Sequence, residues 1–372
     1  MRPGLDAKTL VVKVGSAVLA GEGGLDLEVM AHLAGQLSAL KQKGHRLALV
    51  SSGAVAAGMR RLGLPRPKDM PGKQALAAVG QPLLMEAWRE AFRPFGIEVA
   101  QILLTAEDLE SRARYLNARG TLERLFDLGV LPIINENDTV AFDEIRFGDN
   151  DQLSAQVAAM VGAGLLVLLS DVDALYEEDP KKNPQARPLR EVQRVEEVLR
   201  LGGEGNPLGS GGMKSKLLAA KKAADVGIPT LLLPGREPAA LLRALEGEAI
   251  GTYFHARARY RGEKVWLYHL RRPKGELVLD RGAAKALRER GASLLPAGIK
   301  AVRGRFGRGE PVRLLDEEGQ EVGVGLTNYA AEEVARILGR KTQELEAVLG
   351  YRYTEEVVHR DHMALKGEKG EG

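Results

Sequence analysis

Six short apolar runs, rich in β-forming residues and separated by longer amphipathic segments, limit the fold of this chain more than any other feature. The runs are Leu10–Val14, Leu47–Val50, Val99–Leu104, Val130–Ile134, Leu165–Leu169 and Thr230–Leu233. Such alternation predicts βαβ units, with a mainly parallel sheet covered on both faces. We therefore expect an α/β fold, a three-layer αβα sandwich whose ligands bind beyond the carboxyl ends of the strands.

The spacing of apolar residues also predicts one helix, and a change to short strand-like runs predicts a second domain. Between the first two runs, the residues at near-helical spacing are Leu27, Met30, Leu33, Leu37 and Leu40. After Phe254, a basic stretch leads into short strand-like runs such as GELVLD and PVRLLD, with helix-like RGAAKALRERG and AAEEVARILG. We expect a first domain at 1–258, a linker at 259–274, a small β-rich domain at 275–363 and a disordered tail at 364–372.

Composition excludes several kinds of chemistry. The 372 residues include no cysteine, which excludes disulfides, thiolate metal sites and cysteine nucleophiles. With 53 basic and 50 acidic residues the net charge is only +3, so the chain as a whole does not require a nucleic-acid partner. Since it shows neither a signal-peptide pattern nor an apolar run of about 18 residues, we expect a cytosolic protein without a membrane partner.

Two glycine-containing turns follow the first two runs. Lys13 is followed by Gly15 and Ser16, which together would offer a cation and backbone amides to phosphate oxygens. The alternative is an edge-strand lysine kept for solubility. Ser52 and Gly53 either open a helix start that binds an anion or simply cap a helix. The lysine turn alone does not decide between its two interpretations, whereas simple helix capping is the favoured interpretation of the serine turn alone.

A third glycine-rich segment, residues 205–227, reads GNPLGSGGMKSKLLAAKKAADVG. Its helix-forming part carries Lys214 and Lys216 in the first turns, where the helix dipole disfavours a cation, so a bound polyphosphate would explain them. Solvated lysines on a surface turn are the alternative. Neither GxxxxGK[ST] nor GxGxxG occurs in the sequence, so a nucleotide would have to be held by other loops.

Four segments taken together resemble the amino-acid kinase family in order and spacing: VVKVGSAVL, SSGAVAAG, INENDTV with FGDNDQLSAQVA, and LLSDVDALY with GSGGMKSKLLAAKKA. The segments closely resemble those of the glutamate 5-kinases of that family, and the C-terminal region looks like the PUA domain that many bacterial members carry. The resemblance covers nearly the whole chain. It implies transfer of the ATP γ-phosphoryl group to the side-chain carboxylate of L-glutamate, the first step of proline biosynthesis.

The resemblance also implies roles for residues of the polar segment that begins at Ile134. It assigns glutamate binding to Ser52, Asp138 and Asn150, with Asn135 and Asp149 in support. It assigns the catalytic roles to Lys13, Lys216 and Asp151, where Asp151 would hold either the lysines or a metal. A carboxylate acceptor with a pKa of about 4.3 is already ionised at neutral pH, so no general base is required. The enzyme must instead align two anions and neutralise phosphoryl charge.

The nucleotide site implied by the family is larger. Its residues are Lys13, Gly15, Ser170, Asp171, Ser210, Gly211, Gly212, Met213, Lys214, Ser215 and Lys216. The sequence departs from the family at Ser170 and Ser210, where threonine is frequent, and at Lys214, where a small polar residue is common. Mg²⁺ would bridge the ATP phosphates with few protein ligands, so no metal ligand is assigned.

Regulation and partners follow from the family as well. Residues 59–82 are similar to the loop that covers the glutamate site and is associated with feedback inhibition by proline. The product, an acyl phosphate, implies a glutamyl phosphate reductase that captures it. Family members form dimers and tetramers, so we expect a homodimer or homotetramer.

Other functions stay open. The acceptor could be N-acetylglutamate, aspartate, carbamate or UMP, as in other members of the family. RNA binding by the PUA-like domain is the alternative from another class, because residues 300–308 contain four basic residues and no acid. Since residues 275–352 hold thirteen basic and twelve acidic residues, solvated surface charge is the favoured interpretation of that loop.

Two aromatic pairs receive no function. His359 and His362 have near-helical spacing, but such a pair near a chain end is typical of surface histidine. Trp88 and Phe92 are expected to pack in the core.

Overall fold

The predicted strands are all present in a computed structural model that describes residues 5–21, 24–141, 150–180, 182–202, 212–256 and 273–366. The chain divides into two compact units, Met1–Arg257 and Ala258–Gly372. The predicted linker lies mostly outside the described residues, as do residues 367–372 of the predicted tail.

The first unit contains strands and helices in alternation. Its strands are β1 (Thr9–Val14), β2 (Ala20–Gly21), β3 (Gly24–Leu25), β4 (Arg46–Ser51), β5 (Val99–Leu104), β6 (Leu131–Glu136), β7 (Leu165–Ser170), β8 (Leu175–Tyr176), β9 (Pro188–Leu189), β10 (Glu191–Val192), β11 (Thr230–Pro234) and β12 (Thr252–Phe254). Its α-helices are α1 (Ser16–Leu19), α2 (Leu27–Gln42), α3 (Ala54–Leu62), α4 (Met70–Phe92), α5 (Ala106–Glu110), α6 (Arg112–Asp127), α7 (Asn150–Met160), α8 (Val195–Val198), α9 (Met213–Asp225) and α10 (Ala240–Leu245). Short 3₁₀ turns lie at Arg93–Phe95 and Leu199–Gly202.

Eight strands form one sheet in the order β10-β12-β11-β7-β1-β4-β6-β5. Neighbouring strands are parallel except for β12, which runs antiparallel to β11. Side chains of β1 alternate between the two faces: Leu10 and Val12 join a core with residues of α2 and α4, whereas Lys13 meets α7 on the other face. The expected three-layer αβα architecture with a mainly parallel sheet is therefore confirmed.

The segment expected to be a loop at residues 59–82 is mostly helical. Gly63, whose φ of 66° lies in the left-handed region, ends α3, and α4 begins at Met70. The carboxylate of Asp69 accepts a hydrogen bond from the Gly72 amide at 2.7 Å and so caps α4. The irregular part is limited to residues 63–69.

In its described residues, 273–366, the second unit consists of a five-stranded sheet and three short α-helices. The elements are β13 (Gly275–Leu279), α11 (Arg281–Arg290), β14 (Ile299–Gly304), β15 (Pro311–Leu315), β16 (Glu321–Thr327), α12 (Ala331–Ile337), α13 (Leu345–Leu349) and β17 (Val358–Leu365), with 3₁₀ turns at Pro296–Gly298 and Thr342–Glu344. The strand order is β14-β13-β15-β16-β17. Leu287, Val334 and Leu345 pack from the helices onto the sheet and give this unit a core of its own.

The predicted tail at 364–372 begins too early. Ala364 and Leu365 belong to β17 and are buried, because their backbone pairs with Val324 and Gly323 of β16. The prediction placed these two residues in the tail because the charged, glycine-rich sequence KGEKGEG follows them directly.

Candidate active site

The carboxyl ends of several parallel strands meet at one edge of the sheet. β1 lies between β4 and β7, and the strands that follow in the chain extend away from it in opposite directions. Open α/β sheets bind ligands at such a switch point. The first turn of α7, which begins at Asn150, contacts residues at the ends of β1, β4 and β6.

One carboxylate joins two lysines from distant parts of the chain. The Nζ atom of Lys13 lies 2.5 Å from Oδ1 of Asp151, and the Nζ atom of Lys216 lies 3.7 Å from Oδ2. No side chain of the three is more than 8% exposed. Because burial of a charge is unfavourable unless it is paired, Asp151 makes it possible for both ammonium groups to lie away from water. Two adjacent cations suit an anion whose charge is spread over several oxygens.

Lys216 reaches Asp151 because α9 packs on α7. The Nε2 atom of Gln152 donates a hydrogen bond to the carbonyl oxygen of Ser215 at 3.1 Å and joins the first turns of these two helices. Lys214, the other lysine of this helix start, is exposed. The two lysines at this helix start therefore have different environments, one buried and one exposed.

Asn150 forms a second polar cluster. Its Nδ2 atom donates hydrogen bonds to Oγ of Ser52 at 2.8 Å, to Oδ1 of Asn135 at 2.8 Å and to the carbonyl oxygen of Ser51 at 3.3 Å. Gly53 has a φ of 119°, a conformation that favours glycine, and lets the chain turn from β4 directly into α3. This turn leaves Ser52 at the sheet edge.

Asp138 lies half-buried in the turn that follows β6. The turn is held by its own hydrogen bonds, from the Ala141 amide to the Asn137 carbonyl oxygen at 3.1 Å and from Oγ1 of Thr139 to Oδ1 of Asn137 at 2.6 Å. Asp138 thus follows the strand that carries Asn135. Asp149, expected to support the site, lies outside the described residues.

Two glutamines at this edge were not found by sequence analysis. The Nδ2 atom of Asn135 donates to Oε1 of Gln81 at 2.8 Å, and Nε2 of Gln81 donates to Oε1 of Gln101 at 2.9 Å. Gln81 belongs to α4 and Gln101 to β5. No local pattern distinguishes these glutamines from others, because their partners come from other segments.

The core pair next to this edge behaves as expected. Trp88 and Phe92 are fully buried, with ring centroids 5.8 Å apart, so their predicted core packing is confirmed. The indole Nε1 of Trp88 donates to Oγ of Ser51 at 2.8 Å and connects α4 with the end of β4.

Besides Lys13 and Gly15 of the β1 end, the residues expected to bind the nucleotide lie at the end of β7 and at the start of α9. Ser170 ends β7, is buried, and donates from Oγ to Oδ1 of the exposed Asp171 at 3.1 Å. Gly212 is the N-terminal cap of α9, and Met213 is its first helical residue. Ser210 and Gly211 lie outside the described residues.

The backbone at Gly15 differs from the expectation. Its amide donates to the carbonyl oxygen of Leu169 at 3.1 Å, because β1 and β7 are neighbours in the sheet, so this amide already has a partner. A Cβ atom at this position would lie 3.6 Å from Nζ of Lys13, an ordinary van der Waals contact, so Gly15 lies directly beside the lysine ammonium group.

Within the described ranges, no group of three or more histidine, aspartate or glutamate residues could hold a metal ion. No helix in that part of the chain is long and apolar enough to span a membrane. His359 and His362, whose ring centroids are 5.7 Å apart, both lie in β17.

The basic loop of the second unit is paired with acids from other segments. The pairs are Lys300 with Glu317 at 2.6 Å, Arg303 with Glu276 at 3.6 Å and Arg308 with Glu333 at 2.7 Å. A phosphate would have to compete with these carboxylates. The geometry therefore favours the surface-charge interpretation of these three residues.

Comparison with known proteins agrees with this architecture. The model of the amino acid kinase family matches residues 8–233, and that of the PUA domain matches residues 275–349. The chain belongs to the amino acid kinase family.

Curated relatives give a narrower assignment. A glutamate 5-kinase of Thermus thermophilus is 76% identical over 99% of this chain and 100% of its own length. Glutamate 5-kinases of Meiothermus ruber and Geobacter sulfurreducens are 59% and 48% identical, over 97% and 98% of this chain and 96% and 100% of their own lengths. Within its family the chain falls among the glutamate 5-kinases, and its second unit contains a PUA domain, so the resemblance found in the sequence is confirmed.

Proposed function

We propose that this protein transfers the γ-phosphoryl group of ATP to the side-chain carboxylate of L-glutamate and forms γ-glutamyl 5-phosphate. The observation that carries the proposal is the Asp151 carboxylate with Lys13 and Lys216 beside it. A carboxylate oxygen of glutamate attacks the γ-phosphorus, the bond from that phosphorus to the bridging oxygen breaks, and ADP leaves. The acceptor is already ionised, so no proton has to be removed.

The two lysines act on the transferring group. Their ammonium groups come from opposite halves of the first unit and neutralise charge that develops on the phosphoryl oxygens. Asp151 positions both lysines, a role that its two ion pairs support in preference to metal binding. Mg²⁺ is assigned to the ATP phosphates, because magnesium keeps several waters and uses few protein ligands.

Glutamate and ATP bind on either side of this pair. Ser52, Asp138 and Asn150 are the proposed glutamate ligands, since their short polar side chains suit its α-amino and α-carboxylate groups. The proposed nucleotide residues are Gly15, Ser170, Asp171 and the loop from Ser210 to Lys216. Serine at 170 and 210 keeps the hydroxyl that threonine would supply.

Acyl phosphate formation, trapped with hydroxylamine, tests the reaction. Purified protein is supplied with ATP and Mg²⁺, and separately with glutamate, N-acetylglutamate, aspartate or no acceptor. Glutamate-dependent product that falls at least about a thousandfold in Lys216→Ala is expected, because that variant loses one of two charges facing the phosphoryl group. Lys43→Ala, an exposed lysine paired with Glu246, is the control. If product forms with another acceptor and not with glutamate, or forms equally well without any acceptor, glutamate is not the substrate.

The same proposal places this reaction first in proline biosynthesis. It also includes feedback inhibition of the enzyme by proline. The α3–α4 region at 59–82 contacts the site region, since Nε2 of Gln74 donates to the carbonyl oxygen of Ala141 at 3.2 Å. Proline is expected to raise the KM for glutamate. Glutamate kinetics that do not change in millimolar proline would contradict the inhibition.

Partners are proposed on the same basis. A reductase that captures the unstable acyl phosphate is the expected consumer of the product, and a homodimer or homotetramer is the expected assembly. Light scattering of the purified protein measures the assembly; a monomer at micromolar concentration would contradict it.

RNA binding through the PUA domain is a second, less favoured function. Its support is the family match, whereas the paired basic residues argue against it. A salt-dependent shift of structured RNA by the full chain, reduced in Arg303→Ala, would support RNA binding.

A further inference from the structure

Side-chain amides form a continuous hydrogen-bonded row across the site edge. From its buried end it runs through Asn150, Asn135, Gln81 and Gln101, and each residue donates from its amide nitrogen to the amide oxygen of the next. The row begins beside Ser52 and ends at the exposed side chain of Gln101.

Two backbone groups set the direction of the row. The amide of Glu136 donates to Oδ1 of Asn135 at 2.9 Å, so this oxygen must accept and the Asn135 nitrogen must face Gln81. The carbonyl oxygen of Ser51 can only accept, and it lies 3.3 Å from the Asn150 nitrogen. Neither asparagine can turn its amide around without placing two acceptors or two donors against each other.

A buried acceptor is the consequence. Because three acceptors surround the nitrogen of Asn150, its Oδ1 points the other way, is buried, and accepts no hydrogen bond from the described residues. Buried polar atoms in proteins nearly always have a partner. An oxygen at this place suits an N–H donor, and among the groups of an amino acid that donor is the α-ammonium.

We propose that Gln81 is a positioning residue that holds Asn135, and through it Asn150, so that Oδ1 of Asn150 accepts a hydrogen bond from the α-ammonium group of the acceptor substrate. The inference rests on the proposed function and names the feature by which the site recognises an amino acid. Gln101 holds the amide of Gln81 in turn.

The test compares glutamate with glutarate, which has the same two carboxylates and no amine. The readout is the ratio of the two kcat/KM values, measured with hydroxylamine trapping. Gln81→Leu removes the oxygen that accepts from Asn135, and it is expected to lower the ratio about tenfold, mainly by raising the KM for glutamate. Gln81→Glu keeps an acceptor at this place and is expected to keep the ratio within about threefold of the original.

Further variants separate recognition from a general loss of structure. Gln101→Leu changes an exposed side chain and should lower the ratio about twofold in the same direction. Gln42→Leu, an exposed glutamine at the end of α2, should leave it unchanged. Equal losses with both substrates in Gln81→Leu, or no loss, would overturn the role of Gln81 while glutamate turnover by the unaltered protein still upholds the kinase. Absence of product from the unaltered protein would reject the proposed function and this inference together.

Discussion

At the scale of single residues, the site depends on a few buried polar groups whose partners are far apart in the chain. Lys13 comes from the first strand, Asp151 from α7 and Lys216 from α9. The lysine inside an apolar strand was visible in the sequence, and its two interpretations could not be separated there. The structure favours an internal role over an edge-strand charge, because β1 lies in the middle of the sheet.

Replacement of the shared carboxylate tests this arrangement. Asp151→Asn removes the charge that faces both ammonium groups, so kcat should fall at least about a hundredfold. The free energy of unfolding should fall by about 3 kcal/mol, because a buried ion pair is broken from one side. Steady-state kinetics and urea denaturation measure the two effects.

Asp127→Asn is the matched control for that prediction. Asp127 is exposed and lies 3.7 Å from Arg46, and a surface pair of this kind contributes little to stability. Full activity in Asp151→Asn would show that the carboxylate does not position the lysines.

At the scale of elements, the helices are placed by close backbone contacts that a helical pattern does not reveal. α3 and α4 pack at Gly58 and Gly80, where an added Cβ at position 80 would lie 1.8 Å from the carbonyl oxygen of Ala54. This contact sets the position of α4 and therefore of Gln81, the next residue.

Gly80→Ala should destabilise the first unit by about 2 kcal/mol or more, although alanine is the better helix former, because the backbones of α3 and α4 would have to separate. Gly120→Ala in α6, where the added Cβ meets open space, should stabilise it by about 0.5 to 1 kcal/mol. Thermal denaturation of both variants is the measurement. The same sign of change in both would contradict the close packing.

Glu333, in the first turn of α12, forms an ion pair with Arg308, and its carboxyl group titrates at acid pH. The guanidinium of Arg308 lowers the pKa of Glu333 to about 2, with further help from the hydroxyl of Tyr351 and the amide of Ala330. Because the folded-state pKa lies below the unfolded value near 4.5, the stabilisation is fully present above pH 4.5 and is lost as the pH falls toward 2.

Glu333→Gln should therefore be less stable than the original protein at pH 7, and the difference should disappear between about pH 4.5 and pH 2. The measurement is the free energy of unfolding of the second unit, compared between Glu333→Gln and the original protein from pH 7 to pH 2. A difference that does not depend on pH would mean that the carboxylate charge is not what stabilises this helix start.

At the scale of the whole molecule, each unit has an apolar core of its own. Leu10 belongs to the core of the first unit and Leu277 to that of the second, and both are fully buried. Separate cores predict that the units unfold as separate cooperative transitions.

Calorimetry of the full chain should show two transitions. Leu277→Ala should lower the stability of one transition by about 3 kcal/mol and leave the other unchanged, and Leu10→Ala should do the reverse. If either substitution shifts both transitions equally, the two units unfold as one.

Six of the eight main-sheet strands, the mainly parallel sheet, the second β-rich domain and the family could be predicted from the sequence, because periodicity, turn residues and motif spacing are local properties. The beginning of the tail was misjudged, since pairing of Ala364 and Leu365 with β16 is not local. Only the tertiary structure brought Asp151 between two lysines, engaged the Gly15 amide with Leu169, supplied acids to the basic loop and aligned Gln81 with Asn135. Each of these contacts joins residues distant in the chain, and such contacts depend on how the elements pack rather than on the residues beside them.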